Sequence, residues 1–178
     1  MSLLEDDELV ALVTKHWGKL DGVTREERLA EVRRLNNDLR AAGGNTAEGK
    51  QLFKKHCASC HQLFGEGTKL GPDLTSANRG DRDYLLVSLV DPSSVIRKEY
   101  VSLIVQTRDG RVVTGLPMGR DDSGITLRTA KNEQIVIATS DVDEVRESPV
   151  SLMPEDLYRQ FKPQELRDLF AYLQAAAP

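Results

Sequence analysis

The chain has 178 residues, 39% hydrophobic and 29% charged, the composition of a globular protein long enough to bury a sizeable core. Its 24 basic and 28 acidic residues leave a net charge of −4 with no basic block and no interleaving of aromatic and basic residues, so nucleic-acid binding has no support. No apolar run is long enough to span a bilayer, and two cysteines are too few for a disulfide scaffold.

Residues 5–42 read as two helices. Leu9, Leu12, Val13 and Trp17 form an apolar stripe at helical spacing, with Trp17 as a packing residue. "DGVT" breaks the stripe. Thr24 to Glu27, "TREE", is a capping box for a second helix whose apolar face is Leu29, Val32, Leu35 and Leu39. "AGGN" ends it. The pair is charged and is expected to be an appended helical hairpin over residues 1–44. The opening "MSLLEDDELVALV" has no basic start, apolar run or small-residue cleavage site, so the expectation is either a cytoplasmic protein or a piece of a longer exported one.

Thr46 is the expected N-cap of a helix through "AEGKQLFKKHCASC", ending at Cys60. "HQLFGEGTKLGPDLTSANRG" follows as loop, rich in Gly and small polar residues. Asp81 caps a short apolar helix, "RDYLLVSLVD", stopped by Asp91-Pro92. From Tyr100 the period changes to two. "YVSLIVQT" and "RVVTGLPM" read as a hairpin turning at Asp109-Gly110, "GITLRTA" and "QIVIATS" as a second, and "VDEVRES" as a fifth strand. This antiparallel module, residues 100–148, is expected to form a small β-barrel or half-barrel. Pro149 and Pro154 frame "VSLM", and Pro163 opens a last helix, "PQELRDLFAYLQAA", where its missing N–H costs nothing. The expected fold is mostly α with an inserted antiparallel β module, the helical domain being residues 45–99 and 149–178.

"CASCH" holds both cysteines and is followed by few other candidates for chemistry. Cys57 and Cys60 with His61 next have the spacing of c-type haem attachment. Covalent haem needs two thiols, one for each vinyl group, and an imidazole reaching iron from the same face; His61 Nε2 is the expected proximal ligand. A second axial ligand sets the potential: a thioether raises it and a second imidazole lowers it. Met1 is terminal and Met118 falls in the expected sheet, which leaves Met153, stiffened by Pro154, as the candidate; a gap-filling core methionine is the ordinary alternative. His56 abuts Cys57, and His16 would require the first helix to fold over the haem. The Pro72 carbonyl is the expected acceptor for His61 Nδ1–H. Phe64, Leu70, Leu74, Leu85, Leu86 and Leu89 are candidates to line the pocket, with plain core packing as the alternative. Arg79, Tyr84 and Tyr100 are candidates to hold propionates, against the ordinary reading of a solvated surface.

Other readings of "CASCH" stay open. A thiol redox module needs CxxC at a helix start beside a βαβ unit, and zinc needs four ligands that Cys57, Cys60, His61 and His56 are too crowded to supply. A haem enzyme or ligand sensor, peroxidase-like, needs an open distal site.

"EGKQLFKKHCASCH", "GPDL", "MP" and "LRDLFAYL" resemble the class I cytochrome c pattern in its usual order, over about 46–91 and 149–176. The resemblance implies one covalent haem c, His/Met iron, the proline carbonyl on the proximal histidine and electron transfer without catalysis. It also implies a crossing of the first and last helices at Gly49 and Phe53, with Leu169 and Tyr172 as partners. The sheet departs from that family. A closer resemblance spans nearly the whole chain: "CxxCH…GPDLT", "YLL…DPS", "DGRV.TG", "MP" and "DL.AYL" resemble a haem-binding domain at the C-terminus of large exported planctomycete and verrucomicrobial proteins. These resemble membrane-associated sugar or alcohol dehydrogenases joined to helical repeats. Residues 1–44 would then be the tail of the repeat region. Electrons would enter from a fused or associated dehydrogenase and leave to a downstream cytochrome or oxidase, in the periplasm or otherwise outside the cytoplasm. Edge strands of the β module invite pairing, and a homodimer through that module is a further expectation.

Overall fold

The computed structural model describes residues 24–176, so the first expected helix, with His16 and Trp17, and Met1 lie outside the described residues. Among the described residues there are four α-helices and a five-stranded antiparallel sheet. The first helix, α1 (Arg25–Ala41), starts at the expected capping box: Glu27 N–H donates to Thr24 Oγ1, and Thr24 N–H donates to the Glu27 carboxylate at 2.7 Å.

The next helix, α2 (Thr46–His56), differs from expectation at both ends. Its N-cap is Asn45 rather than Thr46, because the Asn45 side-chain oxygen accepts from the N–H groups of Ala47 and Glu48. It stops at His56, short of Cys60. Cys57 N–H and Ala58 N–H both donate to Phe53 O, and Cys57 O turns back to accept from Cys60 and His61, which winds 57–61 into a tighter turn. Two later helices follow the sequence reading closely: α3 (Arg82–Val90), capped by Asp81, and α4 (Pro163–Leu173), with Pro163 in its first turn.

α2 crosses α4 with no side chain between the backbones at one point. A Cβ on Gly49 would run into the Asp168 carbonyl and lie 2.8 Å from Tyr172 Cβ. Phe53 and Leu169 are fully buried on either side, and the Phe53 and Tyr172 rings sit 5.7 Å apart. Asp168, itself buried, accepts from Asn45 N–H at 2.7 Å and from the Gln164 amide at 2.8 Å, which satisfies a carboxylate that would otherwise be costly inside. α1 belongs to the same core. Val32, Leu35 and Leu39 pack in one cluster with Leu86, Leu89, Leu166 and Phe170. Asn36 also hydrogen-bonds Asp83 of α3, and Arg167 of α4 donates to Asp38 O.

Between the cysteine turn and α3 lies a hairpin read from the sequence as loop. β1 (Gln62–Leu63) pairs with β2 (Glu66–Gly67) through Phe64-Gly65. Both turn residues have positive φ, 51° and 80°, the geometry of a two-residue primed turn. Phe64 adopts this left-handed conformation at a cost of roughly 1–2 kcal/mol. Its ring is held by Tyr172 at 5.9 Å and by the Arg79 guanidinium at 4.7 Å.

The five strands of the inserted module are β3 (Leu103–Thr107), β4 (Val112–Arg120), β5 (Gly124–Arg128), β6 (Gln134–Ala138) and β7 (Val142–Glu147). Their order is β6-β5-β4-β3-β7. The sheet is open, which rules out the closed form of the expected barrel or half-barrel: β6 and β7 end it and do not pair with each other. β4 shares itself, its first half on β3 and its second on β5. The register shifts between Pro117 and Gly119, where Pro117 has no N–H for a regular ladder. Val105, Ile125, Leu127 and Ile137 bury together as a second core drawn from the sheet, with Leu103, Val113, Ile135, Val142 and Val145 packed against it.

Candidate haem-binding site

The turn that ends α2 places the chemistry. Cys57 is the C-cap of α2, and its carbonyl accepts from Cys60 N–H at 3.0 Å and His61 N–H at 2.8 Å. Both thiols are unpaired and partly buried. Burial, helped by the neighbouring Cys60, pushes the Cys57 thiol up from 9.0 to about 12. A helix C-terminus also disfavours a thiolate. Reactive dithiols need the opposite, so this environment argues against the thiol redox reading. Among the described residues no group of three or more His, Cys, Asp and Glu is arranged to hold a metal by itself, and the zinc reading gains no support.

His61 Nδ1 lies 2.9 Å from the Pro72 carbonyl. A carbonyl only accepts, so Nδ1 carries the hydrogen and the lone pair is on Nε2. Burial lowers the His61 pKa by more than the Pro72 bond raises it, so the pocket favours the neutral ring. A neutral imidazole held in this tautomer is the form that ligates iron.

The loop after the hairpin is laced onto the cysteine turn. Thr68 N–H donates to Ala58 O, Thr68 Oγ1 to Ser59 O at 2.6 Å, and Gly71 N–H to Cys60 O at 2.7 Å. Two glycines are required by proximity. At Gly67, φ 102°, a Cβ would run into the His61 carbonyl. At Gly71 a Cβ would lie 2.7 Å from His61 Cε1. In the sequence these glycines read only as loop signals; Thr68, Gly67 and Gly71 are the site residues that sequence reasoning missed. Gly71→Ala is expected to push the His61 ring off the Pro72 carbonyl and to cost about 1–3 kcal/mol, as overpacking does. Thermal unfolding and the spectrum of the haem-loaded variant check this.

The other candidates fall into two groups. Met153, Cys57, Phe64 and Leu74 are partly buried and pack against one core, to which Leu85, Leu86 and Leu89 belong; Leu70 is also buried. Arg79 Nη1 donates to the Leu173 and Ala175 carbonyls at 2.7 Å each, closing the end of α4, while its buried Nε has no partner. Tyr84 is 37% exposed on α3, and Tyr100 ends a 3₁₀ turn with its ring partly exposed. His56 packs edge-on against Phe161, and Met118 is exposed on β4.

The donor set fits a c-type haem: two unpaired thiols in one turn, a neutral imidazole with Nε2 free, a thioether on the same core, and an unsatisfied guanidinium N–H at Arg79 suited to a carboxylate. Residues 46–110 match the family model described as Cytochrome c, and this match supports a haem-based electron-transfer role. The matched part covers less than half of the chain and leaves α1, most of the sheet and α4 outside it. No curated protein matches the chain.

Proposed function

We propose that the chain is a monohaem c-type cytochrome domain that passes single electrons and does no bond chemistry of its own. The observation that carries this reading is the His61–Pro72 pair beside two free thiols in one turn. Bound there, haem supplies one-electron cycling between ferrous and ferric iron. The chain's residues do the rest. Cys57 and Cys60 would anchor the group through thioethers, and Pro72 holds His61 Nδ1 so that Nε2 would be free to ligate the iron. Met153 would offer its thioether to the iron as a further ligand, and the apolar side chains Phe64, Leu70 and Leu74 would exclude water from the group. Arg79 offers its unpaired Nε–H to a propionate; Tyr84 has the weaker claim, given its exposure.

The electron donor in this reading is a sugar or alcohol dehydrogenase, fused or associated, and the acceptor a downstream cytochrome or oxidase. The site is extracytoplasmic, where covalent haem is attached. No helix among the described residues is long and apolar enough to cross a membrane.

Met153→Ala tests the ligand assignment. The haem-loaded variant is expected to lose the sulfur–iron charge-transfer band of the ferric form and to fall in potential by on the order of 100 mV, within the roughly 0.8 V that axial ligands span. An unchanged band would remove Met153 from the iron. Rapid cyanide binding by the untreated wild-type protein would instead mean an open distal site and a haem enzyme or sensor.

A further inference from the structure

The segment that carries Met153 has little regular structure; Met153 packs against the core, and polar contacts on both sides of it tie the segment to the rest of the fold. Met153 N–H donates to Ser151 Oγ at 3.1 Å. Ser151 N–H donates in turn to Ser93 Oγ at 3.1 Å, which fixes the segment two residues before the methionine. Two residues after it, Glu155 accepts from Arg28 Nη2 at 2.8 Å. The same guanidinium gives Nη1 to Asp91, the C-cap of α3, at 2.6 Å. Arg28 thus joins three separate pieces of chain: α1, the end of α3 and the Met153 segment.

The geometry points to Arg28 as a positioning residue that clamps the Met153 segment against α3, so that α1, a helix outside the matched region, controls how firmly the distal ligand is held. The inference rests on Met153 being that ligand. The clamp is partly buried: the Arg28, Asp91 and Glu155 side chains are 20%, 21% and 36% exposed, so solvent and salt screen it less than a surface pair. Its backing is firm, because α1 buries Val32, Leu35 and Leu39 in the core. Without the guanidinium, Asp91 and Glu155 would face each other as like charges and drive the segment outward. A thioether brings no charge of its own to the iron, so restraint from the chain matters more for it than for a thiolate. Loss of an outer partner of a metal ligand typically weakens metal binding or activity about 10–100-fold.

The experiment uses the full haem-loaded chain in the ferric state and titrates it with imidazole, which competes with Met153 for iron. Arg28→Met keeps the stem and removes the charge; it is expected to bind imidazole about tenfold more tightly than wild type, with unchanged haem content. Glu155→Gln, which keeps the side chain's shape, leaves the Arg28–Asp91 pair in place and guards against misfolding of the first variant, is expected to move the same way by less. Arg34→Met removes pairs to Glu31 and Asp38 that lie within α1 and is expected to match wild type. Wild-type imidazole affinity in both Arg28→Met and Glu155→Gln overturns the clamp, as does an equal shift in Arg34→Met, while the Met153 reading stands. A wild-type charge-transfer band that survives Met153→Ala sinks the ligand reading, and the clamp with it.

Discussion

Replacing His61 with alanine is expected to have the largest effect on function. Haem would remain tethered by Cys57 and Cys60, but the iron would lose its proximal nitrogen. The low-spin spectrum should give way to a high-spin one, and electron-transfer competence should fall by more than the roughly 10–100-fold attached to an outer partner. Added imidazole should restore part of the low-spin spectrum, because only the ring has been removed. The substitution also leaves the Pro72 carbonyl without its donor, a stability cost of about 1–3 kcal/mol if water does not replace it. Absorption spectra with and without imidazole separate the two effects. A variant that stays low-spin without imidazole would show that another residue ligates the iron.

The largest effect on stability is expected at Gly49, which carries no side chain and sits where α2 crosses α4. A valine there would meet backbone on the facing helix, with Tyr172 Cβ 2.8 Å away from its Cβ alone. Backbone cannot rotate aside as a side chain does, so α2 and α4 would have to separate, and the burial of Phe53 and Leu169 would loosen with them. The cost should reach about 3 kcal/mol or more, the upper end for overpacking, in a domain whose whole stability is about 5–15 kcal/mol. That corresponds to a fall in melting temperature of roughly 10 °C for a chain of this size. Gly43→Ala is the control: nothing lies within 4 Å of a Cβ there, so its change should stay within about 0.5 kcal/mol. Thermal denaturation of both variants checks the contrast.

Elements with strong local signals are legible in the amino-acid sequence alone. The "TREE" capping box, Asp81, Pro163 and the Asp109-Gly110 turn each sit where a side chain or a fixed φ decides the backbone, and the elements begin or turn there. The boundary at Cys60 is not legible. Periodicity carries on through "CASC", and only the competition for the Phe53 and Cys57 carbonyls ends α2 at His56. The Phe64-Gly65 turn is hidden because an aromatic residue is a poor sequence signal for positive φ; its conformation is held by Tyr172 and Arg79, contacts made across the fold. Strand count is readable from alternation, but the open order of the sheet is not, since alternation says which face is buried and nothing about which edges meet. At the candidate site, residue types and spacing point to Cys57, Cys60, His61 and Pro72. Gly67 and Gly71 do not stand out, because their role is to leave room for His61, and room has no motif.

The most direct measurement is a visible spectrum of the chain produced in an export compartment with c-type haem maturation, oxidised and reduced, followed by acid–acetone extraction. One haem should stay with the polypeptide after extraction, the reduced form should be low-spin with a sharp α band, and the oxidised form should carry the sulfur–iron band. Haem extracted freely into the solvent, or a chain that emerges from the same maturation system with no haem and both thiols unmodified, would contradict the account.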